Sequence, residues 1–244
     1  MLAYVQKQNG EWLNENCYVA QYGFNRMGYN VKSFENDDIK HIKFTDEDAV
    51  FGGINALHNI LIENDIKIPE VHNITQIGKQ AYARNVFTST IGDVRNGQIK
   101  YPFFIKPLEQ FKLFTGFVCK TEFDLFRIPN MFSDIIPVII SEVVEFKSEY
   151  RCFILNEKLY GCKNYTGDFK LFPDFNFIEN AIKMYKNSPS AYTLDFGILS
   201  YGDTELIEIN DGYGFGAYGL NPIVFCKMIS VRWKEIFKNK NEVK

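Results

Sequence analysis

The sequence predicts a mixed α/β protein in which a small parallel-sheet unit precedes antiparallel sheets. Apolar segments with strand and helix periodicity alternate over about the first seventy residues, which is the pattern of consecutive βα units. The middle of the chain carries β-branched apolar runs broken by prolines, and such runs are typical of buried strands. The last part alternates short strands with turns and ends in a helical pattern, which favours hairpins and a terminal helix.

The composition is that of an ordinary globular protein. Of 244 residues, 46% are hydrophobic and 23% are charged, and the net charge is −3. These values argue against disorder and against a basic nucleic-acid-binding surface. The five cysteines are scattered without a C-x-x-C pair, so neither a disulfide framework nor a zinc site is predicted.

The sequence also predicts the compartment. No apolar run approaches the ~20 residues that span a bilayer, and the start MLAYVQKQNGEW lacks the pattern of a signal peptide. We therefore expect a cytoplasmic protein with no membrane or nucleic-acid partner. The oligomeric state, monomer or homodimer, stays open.

Strands and helices alternate in the N-terminal third. LAYVQ is a short strand, and NENCYVAQYGFNRMGYN has the apolar spacing of a helix. VKSFE resumes a strand, and FTDEDAVFGGINALHNILIEND gives a strand end, a turn and an amphipathic helix. From residue 67 to about 97 the pattern is ambiguous, and we treat this segment as a connector.

Strands dominate the middle and the end. We expect strands over 102–106 and after Gly116, and one strand buried on both faces in IIPVIISEVVEF. Two strands follow around a turn at 156–158, then a helix from about 175 to 187 and a hairpin that turns at Gly202 and Asp203. The tail from 222 to 243 predicts a helix. Its inward residues are expected to be Val224, Met228, Val231 and Ile236.

A glycine run, LIEINDGYGFGAYGL, contains the spacing G-x-G-x-x-G at Gly214, Gly216 and Gly219. A dinucleotide site would need a helix and a returning strand after it, but only one helix follows. Glu208 and Asp211 just before the run would also repel a pyrophosphate. We therefore predict a turn that brings the backbone close to the functional site.

The predicted hairpin places three oxygen-bearing side chains together. Glu208 and Asn210 are two apart and share one face, and the turn folds Asp195 back toward them. Two carboxylates and an amide are hard ligands suited to Mg²⁺ or Mn²⁺. The alternative is that all three are solvent-facing polar residues of the hairpin.

Two further segments carry charge beside apolar strands. Lys106 closes the strand YPFFIKP, where a buried ammonium needs an anion such as a phosphate; a surface lysine is the alternative. Glu149 and Arg151 stand two apart and could hold ribose hydroxyls and a phosphate, or form a cross-strand ion pair. The backbone of Glu142, Val143 and Val144, after an apolar strand, could meet an adenine edge.

Taken in order, FFIKP, ISEVVEF, SEYRCFI, LDFG and LIEINDG resemble the motifs of the ATP-grasp superfamily. The resemblance implies an ATP-grasp fold, with Lys106 and Arg151 on the ATP phosphates and residues 142–144 at the adenine. It implies Glu149 at the ribose, and a metal set of Asp195, Glu208 and Asn210. The implied division is a pre-ATP-grasp unit over 1–75, a lid over 76–141 and an antiparallel catalytic part over 142–244.

The sequence departs from the family pattern at two places. The second basic residue before the lid is either Arg84, which we prefer, or Lys79. The usual glycine-rich loop is replaced by LEQFKLFTGF, where Lys112 could supply part of its role. Lys163 is a further candidate contact to the nucleotide, and with Tyr165 to substrate; both could equally be surface residues.

The resemblance implies an ADP-forming ligase that uses ATP and Mg²⁺. Such an enzyme activates a carboxylate as an acyl phosphate and joins it to an amine, with a small-molecule, peptide or protein substrate. A kinase on the same scaffold and a nucleotide-binding module without turnover are the alternatives. The sequence leaves the substrates open.

Overall fold

The structure, a computed structural model, describes residues 1–108 and 113–242. Within these ranges, no helix combines the length and the apolar character needed to cross a membrane. The strands form three four-stranded sheets, one from each third of the chain.

The N-terminal sheet is centred on the first strand, which pairs in parallel with the third and fourth strands and antiparallel with the short second one. Its elements are β1 (Leu2–Gln8), β2 (Glu11–Trp12), α1 (Glu15–Arg26), β3 (Asn30–Phe34), β4 (Ala49–Phe51) and α2 (Ile54–Glu63). Helix α1 begins where the Asn14 side chain accepts a hydrogen bond from the Cys17 amide, which satisfies one free N–H of the first turn. The predicted parallel βα unit is confirmed.

The middle sheet is antiparallel, in the order β5-β8-β6-β7. Its elements are β5 (Val86–Thr90), α3 (Ile91–Arg95), β6 (Phe103–Pro107), β7 (Phe117–Cys119) and β8 (Pro137–Ser141). The segment treated as a connector therefore contains a strand and a short helix. Periodicity missed β5 because it is an edge strand with only one fully buried side chain, Val86.

Strand β8 is shorter than predicted. The run IIPVIISEVVEF was expected to form one strand, but pairing ends at Ser141. The next strand begins at Phe146, so residues 142–145 connect the middle sheet to the last one. A run of apolar residues cannot reveal such a break, since both halves are apolar.

The C-terminal sheet is antiparallel in the order β10-β9-β11-β12. Its elements are β9 (Phe146–Leu155), β10 (Lys158–Gly167), α4 (Phe175–Met184), β11 (Ala191–Leu199) and β12 (Thr204–Asp211), followed by α5 (Pro222–Glu242). Asn156 and Glu157 both have positive φ in the β9–β10 turn, as a two-residue hairpin turn requires. The predicted hairpins and terminal helix are confirmed.

The terminal helix ties the two ends of the chain together. Helix α5 packs against α1 and β4, and Phe225 and Met228 share one core with Phe24. A Cβ added at Gly23 would lie 2.4 Å from the Pro222 carbonyl oxygen, so glycine permits this close helix contact. Of the residues predicted to face inward, Met228 and Ile236 are buried, and Val224 and Val231 are half-buried against the same core as Met228.

Candidate functional site

A cleft runs between the middle and C-terminal sheets and reaches the N-terminal unit. It comprises two cavities of about 540 and about 350 Å³. Both are lined by Lys106, Gly116, Ile139 and Glu208, so they meet at these residues. The smaller cavity faces the β8–β9 connection, and the larger one extends to the start of α1 and the end of β4.

Lys106 lies at the junction of the cavities. Strand alternation buries Phe103 and Ile105 in the core of the middle sheet and turns Lys106 toward the cleft. Its Nζ lies 3.7 Å from Glu208 Oε1, with the Lys106 side chain 19% exposed. This largely buried ammonium faces a carboxylate across an open cleft, where an anionic ligand could also reach it.

The hairpin brings the three predicted metal ligands to one face. Asp195 pairs directly with Glu208, and Thr193 with Asn210, so the side chains of these pairs lie side by side. Glu208 and Asn210 line the larger cavity. Asp195 lies deeper, 2% exposed.

Asp195 is held by an arginine. Arg151 donates from Nε to Asp195 Oδ1 at 2.8 Å and from Nη2 to Oδ2 at 2.6 Å, because the two residues are register partners on β9 and β11. Burial raises the pKa of Asp195; Arg151 opposes that rise, and the nearby Glu208 and Glu149 carboxylates add to it. Arg151 was predicted on a phosphate, and here its guanidinium binds a candidate metal ligand instead.

Two tyrosines surround this pair. The Arg151 guanidinium lies 4.7 Å from the centre of the Tyr218 ring, and the Tyr165 ring stacks beside Tyr218. The Tyr165 hydroxyl donates to Glu149 Oε2 at 2.6 Å, and burial raises the pKa of Tyr165 far above its usual range. Tyr218 comes from the glycine run, and sequence reasoning missed it because aromatic residues are common throughout this chain.

The smaller cavity has the character expected of a base-binding pocket. The segment 142–144 lines it together with the apolar side chains of Phe104, Phe146 and Ile207. The Glu142 amide is bonded to the Asn85 carbonyl, which fixes the segment as it leaves β8. Glu149 lines the same cavity, at the position expected for a ribose contact.

The two candidates for a second base are placed differently. Arg84 lines the smaller cavity, but its Nη1 is 2.7 Å from Glu205 Oε2 and both side chains are buried. Its charge is therefore already paired. Lys79 is exposed on a short 3-10 turn over Lys79–Ala81 and lines neither cavity.

The remaining predicted contacts are Lys112 and Lys163. Lys112 lies outside the described residues. Lys163 is the register partner of Arg151 on β10 and is half-buried, but it lines neither cavity. The structure thus places it on the same face as Arg151 at the margin of the cleft.

The larger cavity has a wall that sequence reasoning missed. Asn14, Asn16, Gly52 and His72 line it from the N-terminal half of the chain, and Gly214 lines it from the glycine run. The Ala217 amide donates to Asn16 Oδ1 at 2.8 Å, which fixes the glycine run against α1. The run therefore passes along the cleft as predicted.

At the end of β12, Asp211 forms a second buried charge cluster. Arg232 donates to both of its carboxylate oxygens, at 2.7 and 2.6 Å, and His72 Nε2 lies 3.2 Å away. The Tyr185 hydroxyl contacts the other ring nitrogen of His72. Asp211 had no predicted role, because nothing in its local sequence identifies a partner 21 residues later on a helix.

The donor set fits a hard divalent cation. Asp195 and Glu208 offer carboxylates and Asn210 an amide oxygen, which are ligands that Mg²⁺ accepts while keeping positions for phosphate oxygens. The Asn210 Nδ2 atom is buried without a hydrogen-bond partner, as expected of an amide whose surroundings are incomplete. Over 1–108 and 113–242, no three His, Cys, Asp or Glu side chains form a metal cluster, so the site would depend on the amide and on ligand oxygens.

Comparison with protein families gives one match. The model of a family described as an ATP-grasp domain matches residues 82–228, which is more than half of the chain. This range contains β6, the 142–145 connection and the β11–β12 hairpin. No curated protein sequence matches the chain significantly.

Several solved structures share the fold at low sequence identity. D-cycloserine synthetase DcsG has a TM-score of 0.63 at 7% identity, over 96% of this chain and 100% of that one. D-alanine–D-alanine ligase from Bacillus anthracis complexed with ATP gives 0.56 at 13%, over 98% of each chain. Macrocyclase MdnC from Microcystis aeruginosa MRC, bound with precursor peptide MdnA, gives 0.54 at 11%, over 94% and 99%.

Proposed function

Since the chain belongs to the ATP-grasp domain family whose model it matches, we propose that it is an ADP-forming ligase that uses ATP and Mg²⁺. It activates a carboxylate as an acyl phosphate and joins it to an amine. The observation that carries the proposal is the junction of the two cavities, where Lys106 and Glu208 face each other 3.7 Å apart. A phosphate there would be reached from both cavities.

The nucleotide occupies the smaller cavity. The backbone of residues 142–144 meets the adenine edge, apolar side chains flank the ring, and Glu149 holds the ribose. Lys106 binds phosphate oxygens as a point charge. The ATP complex of a structural neighbour supports this arrangement by analogy of fold.

The metal is held by Glu208 and Asn210, with Asp195 behind them. When bound, Mg²⁺ neutralises charge on the phosphates as it develops in transfer. Arg151 fixes the Asp195 carboxylate through its two hydrogen bonds and thereby sets the geometry of that ligand. We accordingly propose that Arg151 acts through Asp195 in addition to any contact with a phosphate.

The larger cavity holds the acceptor carboxylate and amine. Its volume of about 540 Å³ lies within the usual range for small-molecule sites, and it opens from the phosphate junction toward the N-terminal unit. Among the fold's neighbours, one is a D-alanine–D-alanine ligase and another was bound with a precursor peptide. Small carboxylates and peptide termini are therefore the substrates to test first.

The division of the chain follows the same scheme. We propose that residues 1–75 form the acceptor-side unit, 76–141 the lid and 142–244 the catalytic part. The three sheets, which lie within 2–51, 86–141 and 146–211, support these boundaries. Helix α5 then returns to pack on the first unit.

The test is a trapping assay. Protein, ATP and Mg²⁺ are incubated with a panel of carboxylates and hydroxylamine, which converts an acyl phosphate to a hydroxamate. We expect matched amounts of ADP and hydroxamate. Glu208→Gln should lower the rate about a thousandfold, since it removes several kcal/mol of charge stabilisation, whereas Glu179→Gln, at an exposed position of α4, should leave the rate unchanged.

Each other outcome identifies a different error. Turnover in Glu208→Gln at the wild-type rate would overturn the metal assignment. ADP accompanied by a stable phosphorylated product would indicate a kinase. ATP binding without ADP across the panel would indicate a binding module.

A further inference from the structure

Two polar atoms without partners oppose each other beside the candidate metal ligands. In the described residues, the buried side-chain atoms that have no hydrogen-bond partner include Thr193 Oγ1 and Asn210 Nδ2. These two residues are direct register partners on β11 and β12. Directly opposed side chains lie about 5 Å apart at Cβ, within reach of a hydrogen bond after a small rotation.

Thr193 occupies the right face for such a contact. It precedes Asp195 by two residues on β11, so both side chains point to the same side of the sheet. Its other register partner, Phe153 on β9, is apolar and offers no side-chain hydrogen bond. Thr193 is fully buried, and a buried hydroxyl without a partner destabilises a protein, so its presence needs another reason.

The chemistry of the amide supplies that reason. A metal binds the carbonyl oxygen of an asparagine, which leaves the NH₂ group pointing away from it. If Asn210 Oδ1 turns toward the cleft, Nδ2 needs a buried acceptor, and a hydroxyl can accept that bond. Metal-ligating side chains are commonly oriented in this way by a neighbour that does not touch the metal.

We propose that Thr193 is a positioning residue for the metal site: its Oγ1 accepts a hydrogen bond from Asn210 Nδ2 and so aims Oδ1 at the cation. The inference rests on the proposed function, because it presupposes a metal bound at Asn210. Thr193 touches neither the metal nor the nucleotide. Its contribution is to reduce the number of orientations that the Asn210 amide can adopt.

The variants are chosen to separate positioning from folding. Thr193→Val keeps the shape and removes the hydroxyl, and Thr193→Ser keeps the hydroxyl. The readout is binding of Mn²⁺ in the presence of a non-hydrolysable ATP analogue, measured by the EPR signal of free Mn²⁺. Stability without metal is followed by urea unfolding of the same proteins.

We expect Thr193→Val to weaken Mn²⁺ binding about tenfold or more, as losses of such supporting contacts do, and Thr193→Ser to stay within about twofold of wild type. Without metal, Thr193→Val should be as stable as wild type or more stable, since it removes an unsatisfied hydroxyl. In an Asn210→Ala background, Thr193→Val should weaken Mn²⁺ binding no further. That last result would distinguish an action through Asn210 from a general effect on the sheet.

The contradicting results are equally defined. Unchanged Mn²⁺ affinity in Thr193→Val, with normal binding by the wild type, would overturn the role of Thr193 and leave the proposed function standing. A wild type that binds no Mn²⁺ with the nucleotide would overturn both. Thr193→Ala serves as a second variant without the hydroxyl, and if neither it nor Thr193→Val folds, the hydroxyl has a structural role and the inference is wrong.

Discussion

Two arginine–aspartate pairs in this molecule have nearly the same geometry and very different surroundings. Arg151 binds Asp195 through two hydrogen bonds of 2.8 and 2.6 Å, and Arg232 binds Asp211 through two of 2.7 and 2.6 Å. Both aspartate side chains are 3% exposed. The geometry of the ion pair alone therefore does not separate a structural cluster from a functional one.

The Asp211 pair is complete within the protein. Its carboxylate also accepts a hydrogen bond from the Tyr213 amide and contacts His72. Burial by itself raises the pKa of Asp211, but the bonds from Arg232 and His72 outweigh it and lower the pKa below its usual value. Asp211 thus joins β12, α5 and the segment around His72.

The Asp195 pair is short of positive charge. Burial raises the pKa of Asp195, Arg151 opposes the rise, and the Glu208 and Glu149 carboxylates contribute to it. With Glu208 opening onto the cleft beside it, this is where an added cation would be most stabilising. The comparison teaches that the neighbours of an ion pair, more than the pair itself, indicate a ligand site.

The largest expected effect is on folding at the Asp211 pair. Asp211→Asn leaves Arg232 buried without its carboxylate partner and should lower the free energy of unfolding by about 3–5 kcal/mol. Asp37→Asn, on an exposed turn, should change it by less than about 0.5 kcal/mol. Urea unfolding measures both, and an Asp211→Asn variant as stable as its control would end the structural interpretation of this pair.

A smaller effect separates the two pairs by ligand response. A nucleotide with Mg²⁺ at about a hundred times its Kd should stabilise the wild type by about 2.7 kcal/mol. Asp211→Asn should gain a similar increment, because its cluster is not a ligand, whereas Asp195→Asn should gain much less. Unfolding midpoints with and without Mg²⁺ and nucleotide test this, and equal increments in both variants would remove Asp195 from the metal site.

The smallest effect is the response to pH without metal. The pKa of Asp211 is lowered, so its contribution to stability is present above the ordinary value of 3.8 and is lost as the pH falls through its folded pKa. The pKa of Asp195 is raised, so its contribution is present at low pH and is lost as the pH rises through its folded value.

The variants should show these opposite signs. As the pH falls below about 4, the stability advantage of wild type over Asp211→Asn should narrow. As the pH falls toward about 4 from above, the stability of wild type relative to Asp195→Asn should increase. Unfolding curves from about pH 3 to 6, roughly the range of carboxyl titration, would reveal two differences of the same sign if the comparison is wrong.

The sequence carried much of the fold and part of the site. Local periodicity predicted the βα unit and the terminal helix, and a hairpin turn at Gly202 sufficed to bring Asp195 opposite Glu208, because both lie near one turn. The same reasoning could not pair Arg151 with Asp195, since that contact depends on how β9 and β11 align 44 residues apart. Nor could it find the pairing of Arg84 with Glu205, which consumes a charge predicted for phosphate.

The central claim is that the cation site lies at Asp195, Glu208 and Asn210, and a crystal structure with Mg²⁺ and a non-hydrolysable ATP analogue tests it most directly. We predict metal density about 2.1 Å from oxygens of Glu208 and Asn210, phosphates beside Lys106 and adenine against residues 142–144. Nucleotide density away from Lys106, or a metal bound at Asp211, would contradict the account.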